Sequence, residues 1–339
     1  MTTPTDNPRM PDFEALADKA LSGGILSREE ALGILRAADA ELPALLAAAW
    51  RVRRHFHGNK VKVHVLMNAK RGACAEDCGF CAQSSKATKE LEPYKLESAD
   101  QIVKEAEMAH QRGAWKFCIV TATRGPSDAD LDVLCDAVRR IKASVPIRVC
   151  TSLGLLTVPR AKRLAEAGVD RFNHNLESSE RFFPEVCTTH SWKDRIDTLR
   201  TAKAAGMELC SGGIVGMGET SEDVADLALA VRELGVSSIP VNFLMESWSG
   251  TPKAATSAPS TPAYCLKVLC LFRFLNPTSE IRAAGGREVN LGSMQSLALY
   301  PANSLFVEGY LTTPGQQIEE ARRMIEEMGF EVEEIGVPR

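Results

Sequence analysis

The sequence lacks the features that mark several large classes of protein. No apolar run approaches the roughly 20 residues that a helix needs to cross a bilayer, so no membrane span is expected. The net charge is only −4, from 40 basic and 44 acidic residues, so nothing in it favours binding to nucleic acid. The opening segment, MTTPTDNPRMPDF, is polar and proline-rich and has no apolar stretch typical of a secretory signal. We therefore expect a cytoplasmic protein that binds neither a membrane nor nucleic acid.

The chain has ten cysteines, and a disulfide framework is not the expected use for them. The cytoplasm keeps thiols reduced, and a chain of 339 residues can bury a large core without covalent links. Clustered cysteines in such a chain indicate metal ligation or catalysis.

The hydrophobic pattern changes at about residue 58. Residues 12–57 predict helices, one of which begins at a serine cap with a glutamate three residues later, in SREEALGILRAA. Beyond them, short apolar runs alternate with amphipathic stretches at a spacing of roughly 30 residues, which is typical of strand–helix units. Eight strands are predicted, over 61–67, 116–122, 147–153, 170–176, 208–215, 238–244, 280–286 and 304–309.

Eight strand–helix units predict an α/β fold, a (β/α)₈ barrel of the TIM type with an N-terminal helical extension. A doubly wound open sheet is the alternative, and the even spacing favours closure. The seventh unit has the weakest pattern, because 247–264 is rich in Ser, Thr and Pro and predicts a loop. The expected division is a tail and helices over 1–57, the barrel over 58–330 and a C-terminal tail over 331–339.

Three cysteines with close spacing follow the first predicted strand. Cys74, Cys78 and Cys81 are arranged as C-x3-C-x2-C in a loop. Three thiolates at this spacing can hold one face of a cubane iron–sulfur cluster and leave its fourth iron open. An open iron can chelate the amino and carboxylate groups of a methionine moiety. Structural zinc is the alternative, but it needs four ligands, and no second pair of cysteines or histidines stands at ligand spacing.

Three further cysteines fall inside predicted strands. Cys118, Cys150 and Cys210 lie in the second, third and fifth strands, and Arg282 lies in the seventh. Taken singly, a buried cysteine is a common small core residue. A closed barrel, however, can aim all three at one point, where Arg282 can join them, and a buried arginine needs a charge or an anion beside it. Together they suggest a second iron–sulfur cluster inside the barrel.

The loop, with Phe80 just before its last cysteine, resembles that of the radical S-adenosylmethionine (SAM) superfamily. The chain from about residue 60 to residue 330 is similar to the biotin synthase family. The similarity rests on the strings GACAEDCGFCAQSS, RFNHNLESS, ELCSGGIVGMGET, IPVNFL, IRAAGGRE and ANSLFVEGYLTTPGQ. It implies a sulfurtransferase that converts dethiobiotin to biotin, in which a 5′-deoxyadenosyl radical abstracts hydrogen from each of two unactivated carbons.

The resemblance also implies ligands for individual residues. A [4Fe–4S] cluster would be held by Cys74, Cys78 and Cys81, and an auxiliary [2Fe–2S] cluster, the expected sulfur source, by Cys118, Cys150, Cys210 and Arg282. The residues expected to contact SAM are Phe80, Thr121, His174, Asn175, Glu177 and Ile214. The residues expected to contact dethiobiotin are Asn173, Asn175, Asn242, Thr312 and Thr313. Glu177 stands where the family pattern has Asp.

The same resemblance implies a flavodoxin- or ferredoxin-type electron donor, iron–sulfur assembly proteins as partners, and a homodimer. Two rival functions remain: another radical barrel enzyme with a different substrate, and a non-catalytic metal or electron-carrier protein. Cys187 receives no role. Cys135, Cys265 and Cys270 fall on helical faces and are predicted to be core residues.

Overall fold

A closed ring of parallel strands forms the centre of the molecule in the computed structural model, which describes residues 11–72, 74–87, 90–245 and 260–335. The strands are β1 (Lys60–Lys70), β2 (Lys116–Thr121), β3 (Arg148–Ser152), β4 (Arg171–Asn173), β5 (Glu208–Cys210), β6 (Gly213–Val215), β7 (Ser238–Phe243), β8 (Glu280–Ala283) and β9 (Ser304–Phe306). The strands pair in parallel in the order β1-β2-β3-β4-β5-β7-β8-β9, β6 pairs with β7, and β9 closes the ring by pairing with β1. The predicted (β/α)₈ barrel is confirmed, and the open-sheet alternative is wrong.

The fifth predicted strand, 208–215, is two short strands rather than one. Cys210 of β5 pairs with Ser238 of β7, whereas β6 pairs with the later part of β7. Gly212 lies at the break between them, and a Cβ atom there would stand 1.9 Å from the carbonyl oxygen of Pro240. The break therefore needs a glycine, because a side chain would overlap β7.

The N-terminal helices cover the amino end of the barrel. They are α1 (Phe13–Leu21), α2 (Arg28–Arg36), a 3₁₀ turn (Asp39–Glu41) and α3 (Leu42–His57). The predicted cap at the start of α2 is confirmed, because Ser27 and Glu30 form a reciprocal capping box. The guanidinium of Arg53 is buried and donates hydrogen bonds to the carbonyl oxygens of Gly58 and Lys60, at 2.8 and 2.9 Å, which fixes α3 to the start of β1.

Helices alternate with the strands around the barrel, in keeping with the strand–helix units that the sequence predicts. They are α4 (Ala99–Gln111), α5 (Asp128–Ser144), α6 (Val158–Ala167), α7 (Phe183–Val186), α8 (Trp192–Ala204), α9 (Ser221–Glu233) and α10 (Pro262–Leu275). Cys135, Cys265 and Cys270 are buried in the main hydrophobic core, as predicted. Most of the predicted loop over 247–264 lies outside the described residues. Among the helices that the structure describes, none has the length and apolar character to cross a bilayer.

The chain after β8 departs from regular strand–helix alternation. A short α11 (Arg287–Leu291) and a 3₁₀ helix (Gly292–Leu299) precede β9. A small antiparallel hairpin, β10 (Gly309–Tyr310) and β11 (Thr313–Pro314), then leads to α12 (Ile318–Glu327) and β12 (Glu331–Val332). Because β12 pairs with the first residues of β1, the predicted C-terminal tail begins with a strand, and its last residues, 336–339, lie outside the described part.

Candidate active site

A cavity of about 230 Å³ lies at the carboxyl ends of the barrel strands and joins the two groups of cysteines. Cys81 of the loop after β1 lines it, and so do Cys118, Cys150 and Cys210 of the barrel strands. The other two loop cysteines line an adjoining chamber, which Cys81 also borders. The two spaces share Phe80 and Cys81 in their linings, so the loop borders the cavity that reaches the strand cysteines.

The strand cysteines and Arg282 converge as the sequence predicts. Cys118 and Cys150 are paired across β2 and β3, and the two pack with Cys210 in one buried cluster. Nη1 of Arg282 lies 3.9 Å from Sγ of Cys210, and its guanidinium stacks on Phe306 at 4.5 Å from the ring centroid. Three thiols and a guanidinium thus face one point inside the barrel.

Buried charges lie next to these thiols. The carboxylate of Glu280 forms an ion pair with Arg282, and it lies 3.4 Å from Arg171 and 3.2 Å from Nε2 of His64. Although burial opposes its charge, Glu280 and the neighbouring cysteines raise the pKa of Arg282. Nζ of Lys116 is buried without a hydrogen-bond partner in the described chain, and burial lowers its pKa to about 8. Three cationic groups, Arg171, Arg282 and Lys116, therefore face two carboxylates, Glu280 and Glu208, and this excess of positive charge suits an anionic occupant.

The pKa values of the strand thiols indicate what metal binding requires. Hydrogen bonding between Cys118 and Cys150 lowers the pKa of Cys118 and raises the pKa of Cys150 to about 12. Hydrogen bonding to Cys150, together with burial, raises the pKa of Cys210 well above its ordinary value. A metal must displace these protons, and the resulting thiolates would be balanced by Lys116 and Arg282. The donor set and its surroundings fit an iron–sulfur cluster.

A turn before the loop cysteines and a backbone hydrogen bond from Gly79, between Cys78 and Cys81, hold the loop in place. The turn at Gly72 has a left-handed φ of +73°, which glycine adopts without strain, and it directs the chain from β1 into the loop. The backbone N–H of Gly79 donates to the carbonyl oxygen of Val186 at 2.9 Å. Burial raises the pKa of Cys81 to about 11, so ligation must displace a proton here as well. Three thiols beside one chamber fit a cluster with three protein ligands.

At the end of β4, the amide of Asn173 lies against Cys210, one of the strand cysteines. Nδ2 of Asn173 donates to Sγ of Cys210 and to Oδ1 of Asn175, both at 3.2 Å. Asn175 Oδ1 also accepts from the backbone N–H of Gly212 at 3.2 Å. Oδ1 of Asn242 accepts from the N–H of Gly285 at 3.0 Å, and all three amides line the cavity.

Glu177 and Ile214 meet at the break between β5 and β6. The N–H of Glu177 donates to the carbonyl oxygen of Gly212, and the N–H of Ile214 donates to the carbonyl oxygen of Glu177, both at 3.0 Å. Glu177 has a φ of +69°, and burial raises the pKa of its carboxyl group to about 7. Both residues line the cavity, and Phe80 borders it from the loop.

The remaining residues predicted to bind SAM or dethiobiotin lie either beside the adjoining chamber or in the hairpin of β10 and β11. Thr121 and His174 line the adjoining chamber, and Oγ1 of Thr121 and Nε2 of His174 are buried without hydrogen-bond partners in the described residues. Burial lowers the pKa of His174 well below its ordinary value, so the ring is neutral. Thr312 lines the main cavity, whereas Thr313 pairs with Tyr310 in the hairpin and is not among the residues that line either space in the described chain.

Two residues of this chamber escape the sequence analysis, Arg195 and His190. Nη1 of Arg195, a buried residue of α8, donates to the carbonyl oxygen of Asn175 at 2.6 Å and lies 3.7 Å from the carboxylate of Glu177. Nε of Arg195 donates to Nε2 of His190 at 3.0 Å. A signal was present, because Arg195 shares the buried face of α8 with Leu199 and Ala202, four and seven residues later. An arginine in an apolar stripe indicates a buried charge with a partner.

Comparisons with known proteins agree with this arrangement. The chain matches the Radical SAM superfamily over residues 71–231 and the Biotin and Thiamin Synthesis associated domain over residues 240–331. Biotin synthase of Salinibacter ruber is 53% identical over 322 residues, which are 95% of this chain and 89% of that protein. Biotin synthase of Geobacillus thermodenitrificans is 48% identical over 330 residues, which are 97% of this chain and 99% of that protein.

Solved structures support the fold. Methylornithine synthase (PylB) superposes with a TM-score of 0.80 at 19% identity, covering 94% of this chain and 97% of that one. The FeFe-hydrogenase maturase HydG from Carboxydothermus hydrogenoformans superposes with a TM-score of 0.79 at 17% identity, covering 95% of this chain and 79% of that one. Radical SAM chemistry requires a [4Fe–4S] cluster and SAM, and the loop thiols fit that cluster. By sequence similarity over nearly its whole length, the chain is a radical SAM enzyme that belongs to the biotin synthase family.

Proposed function

We propose that this enzyme inserts sulfur into dethiobiotin to form biotin, the last step of biotin biosynthesis, and that an auxiliary [2Fe–2S] cluster at Cys118, Cys150, Cys210 and Arg282 is the sulfur donor. One observation carries the proposal: a single cavity is lined by Cys81 of the loop and by all three strand cysteines. A radical enzyme that forms only carbon–carbon bonds shares the loop but has no need for the strand cysteines. A sulfur insertion enzyme needs both sites beside one substrate.

When bound at the loop cysteines and at the strand cysteines, the two clusters would supply the electron that cleaves SAM and the sulfur that is inserted. The chain's own residues bind and orient. Glu177 would accept hydrogen bonds from the ribose hydroxyls of SAM. The buried guanidinium of Arg195 suits the carboxylate of SAM. Phe80 and Ile214 would contact the adenine, while His174, Asn175 and Thr121 are proposed to complete the SAM site.

The amides suit a neutral urea group. An Asn side chain offers both a donor and an acceptor, as a urea requires, and it brings no charge. Because Asn173 lies 3.2 Å from Sγ of Cys210, a ureido ring bound by Asn173, Asn175 and Asn242 would be held next to the proposed sulfur source. Thr312 and Thr313 are proposed to receive the carboxylate tail of dethiobiotin.

The hairpin of β10 and β11 covers part of the cavity. Tyr310 and Leu311 line it, and the hydroxyl of Tyr310 donates to Glu288 at 2.7 Å, which fixes the hairpin to α11. A carbon radical must be kept from water and other hydrogen donors, so an apolar cover over the substrate suits this reaction.

The partners and the location of the enzyme are proposed only from its similarity to the biotin synthase family. These are a flavodoxin- or ferredoxin-type electron donor, iron–sulfur assembly proteins that renew the auxiliary cluster, a homodimer, and a cytoplasmic location.

The test is an anaerobic turnover of protein reconstituted with iron and sulfide, supplied with dethiobiotin, SAM and a low-potential reductant. Mass spectrometry should detect biotin with roughly two molecules of 5′-deoxyadenosine for each biotin, one for each carbon–sulfur bond. Cys135→Ala, a core change in α5, serves as a control that should form both products. Deoxyadenosine without biotin, from protein that retains both clusters, would refute dethiobiotin as the substrate.

A further inference from the structure

The two terminal nitrogens of Arg282 have different surroundings. Nη2 donates to Oγ of Ser238 at 2.7 Å and to Oε1 of Glu280. These two acceptors use both N–H groups of Nη2. Nη1, in contrast, faces Sγ of Cys210 at 3.9 Å. One end of the guanidinium is therefore held by polar partners, and the other end reaches the strand cysteines.

Glu280 holds that first end together with Ser238. Oγ of Ser238 donates to Oε1 of Glu280 at 2.8 Å, so Arg282, Ser238 and Glu280 form a closed triangle of hydrogen bonds. Ser304 of β9 and Arg171 of β4 donate to the same oxygen, both at 3.4 Å. Because three strands contact the buried carboxylate, Glu280 is a fixed point for the guanidinium.

An arginine needs such a fixed point because its side chain is long and has many rotamers. Glu280 and Arg282 are two residues apart on β8, so both side chains leave the strand on the same face. Phe306 stacks on the guanidinium at 4.5 Å from the ring centroid and restricts its tilt. Stacking still permits rotation within the plane of the guanidinium, and the bonds from Glu280 and Ser238 remove that freedom.

We propose that Glu280 is a positioning residue for the auxiliary cluster: it holds Nη2 of Arg282 and thereby directs Nη1 toward the cluster at the strand cysteines. Glu280 lines neither the cavity nor the adjoining chamber in the described chain, so it acts on the site through Arg282. The inference rests on the proposed function, because it takes Arg282 as part of the auxiliary cluster site.

A role in charge balance alone predicts something different for Glu280. Nε2 of His64 and Nζ of Lys62 lie 3.2 and 3.8 Å from its carboxylate oxygens, and Glu280 offsets positive charge there. If that were its whole role, Gln and Ala in its place would have the same effect, because both are neutral. Positioning instead depends on an acceptor oxygen, which Gln keeps and Ala lacks. The two variants therefore separate the two roles.

The experiment measures how fast full-length reconstituted enzyme loses its auxiliary cluster to an iron chelator under anaerobic conditions. Mössbauer spectroscopy counts the two types of cluster separately and reports the signature of each. We expect Glu280→Ala to accelerate the loss about three- to tenfold, the usual worth of one hydrogen bond, and Glu280→Gln to stay within about twofold of the wild type. Glu280→Ala should also change the Mössbauer signature of the auxiliary cluster in the same direction as Arg282→Ala.

A double-mutant cycle tests whether Glu280 acts through Arg282. The double variant Glu280→Ala/Arg282→Ala should lose the auxiliary cluster no faster than Arg282→Ala alone, whereas independent effects would multiply. Glu208→Gln is the matched control, because Glu208 pairs with Arg171 in the same group of charges and has no hydrogen bond to Arg282 in the described chain. This control should leave the rate unchanged.

The outcomes separate this inference from the proposed function. Equal rates in the wild type and Arg282→Ala would overturn the proposed role of Arg282, and the inference with it. A faster loss in Arg282→Ala but not in Glu280→Ala would overturn the inference alone, and so would equal effects of Gln and Ala at position 280. If Glu280→Ala does not fold, Ser238→Ala decides, because it removes the other acceptor of Nη2 and keeps the charge; an unchanged rate there overturns the inference.

Discussion

Protonation of Glu177 is expected to control the affinity of the enzyme for SAM. Its carboxyl group is buried beside the cavity, and burial raises its pKa to about 7, although Arg195 and Asn175 act in the opposite direction. The ionised carboxylate accepts hydrogen bonds from both ribose hydroxyls more strongly than the protonated acid, which carries an O–H donor in place of one acceptor. A raised pKa means that Glu177 is protonated below about pH 7 and ionised above it, so SAM should bind more tightly as the pH rises.

The size of the effect follows from the position of this pKa. One unit below it, roughly 90% of Glu177 is protonated, and one unit above it, roughly 10%. If only the ionised form binds SAM, the apparent affinity falls about tenfold from pH 8 to pH 6. Binding then releases about 0.9 proton from Glu177 at the lower pH and about 0.1 at the higher pH.

Anaerobic calorimetry of the [4Fe–4S]-loaded enzyme in two buffers of different ionisation enthalpy measures both quantities. The α-amino group of SAM also loses a proton when it chelates iron, so a control is needed. Glu177→Gln keeps the size of the side chain and should bind SAM more weakly, with only the proton release of that amino group. The same pH dependence and proton count in the wild type and the Gln variant would refute the reasoning.

Four further substitutions test the proposed site and the backbone that supports it. Cys74→Ala should abolish 5′-deoxyadenosine formation, whereas Cys118→Ala should retain some SAM cleavage but form no biotin; retained cleavage in the first variant would refute the loop assignment. Gly212→Ala places a Cβ atom 1.9 Å from the carbonyl oxygen of Pro240, so we expect about 1–3 kcal/mol of destabilisation and a lower thermal midpoint, and an unchanged midpoint would contradict the predicted clash. Thr312→Val should raise the KM for dethiobiotin about tenfold in steady-state assays, the cost of a hydrogen bond to a carboxylate, while SAM affinity is unchanged; an unaltered KM would mean that the tail binds elsewhere.

The barrel was predictable because its signal repeats. Eight apolar runs at regular spacing, most of them followed by helical patterns, leave few other topologies. The break between β5 and β6 was not predictable from periodicity, because ELCSGGIV has the composition of one continuous buried strand. The close approach of Pro240 to Gly212, and of the carbonyl oxygen of Glu177 to Gly213, shows why two glycines stand there. The short β12 was missed because two residues carry no periodic pattern.

The site was predictable where spacing or family similarity marked the residues. The loop cysteines are close in sequence, and Cys118 and Cys150 meet because parallel register aligns them. Arg195 and Cys187 were missed for a different reason. Arg195 carried a signal, its place in the buried stripe of α8, but that position does not reveal which groups it contacts. Cys187 is a single residue whose neighbour Cys78 lies far along the chain, so no local pattern marks it.

Two sequence motifs that look separate, NHNLE and CSGGIV, form one structural unit. The N–H of Glu177 bonds to the carbonyl oxygen of Gly212, and the N–H of Ile214 bonds to the carbonyl oxygen of Glu177, so the chain after β4 inserts as a bridge at the break in the fifth strand. These two bonds hold Glu177 at a left-handed φ that costs an ordinary residue about 1–2 kcal/mol. The glycine pair thus positions Glu177, the proposed ribose ligand. In β5, just before the break, Cys210 is in register with Asn173 of β4. The contacts proposed for SAM and for the sulfur source depend on one local departure from a regular barrel.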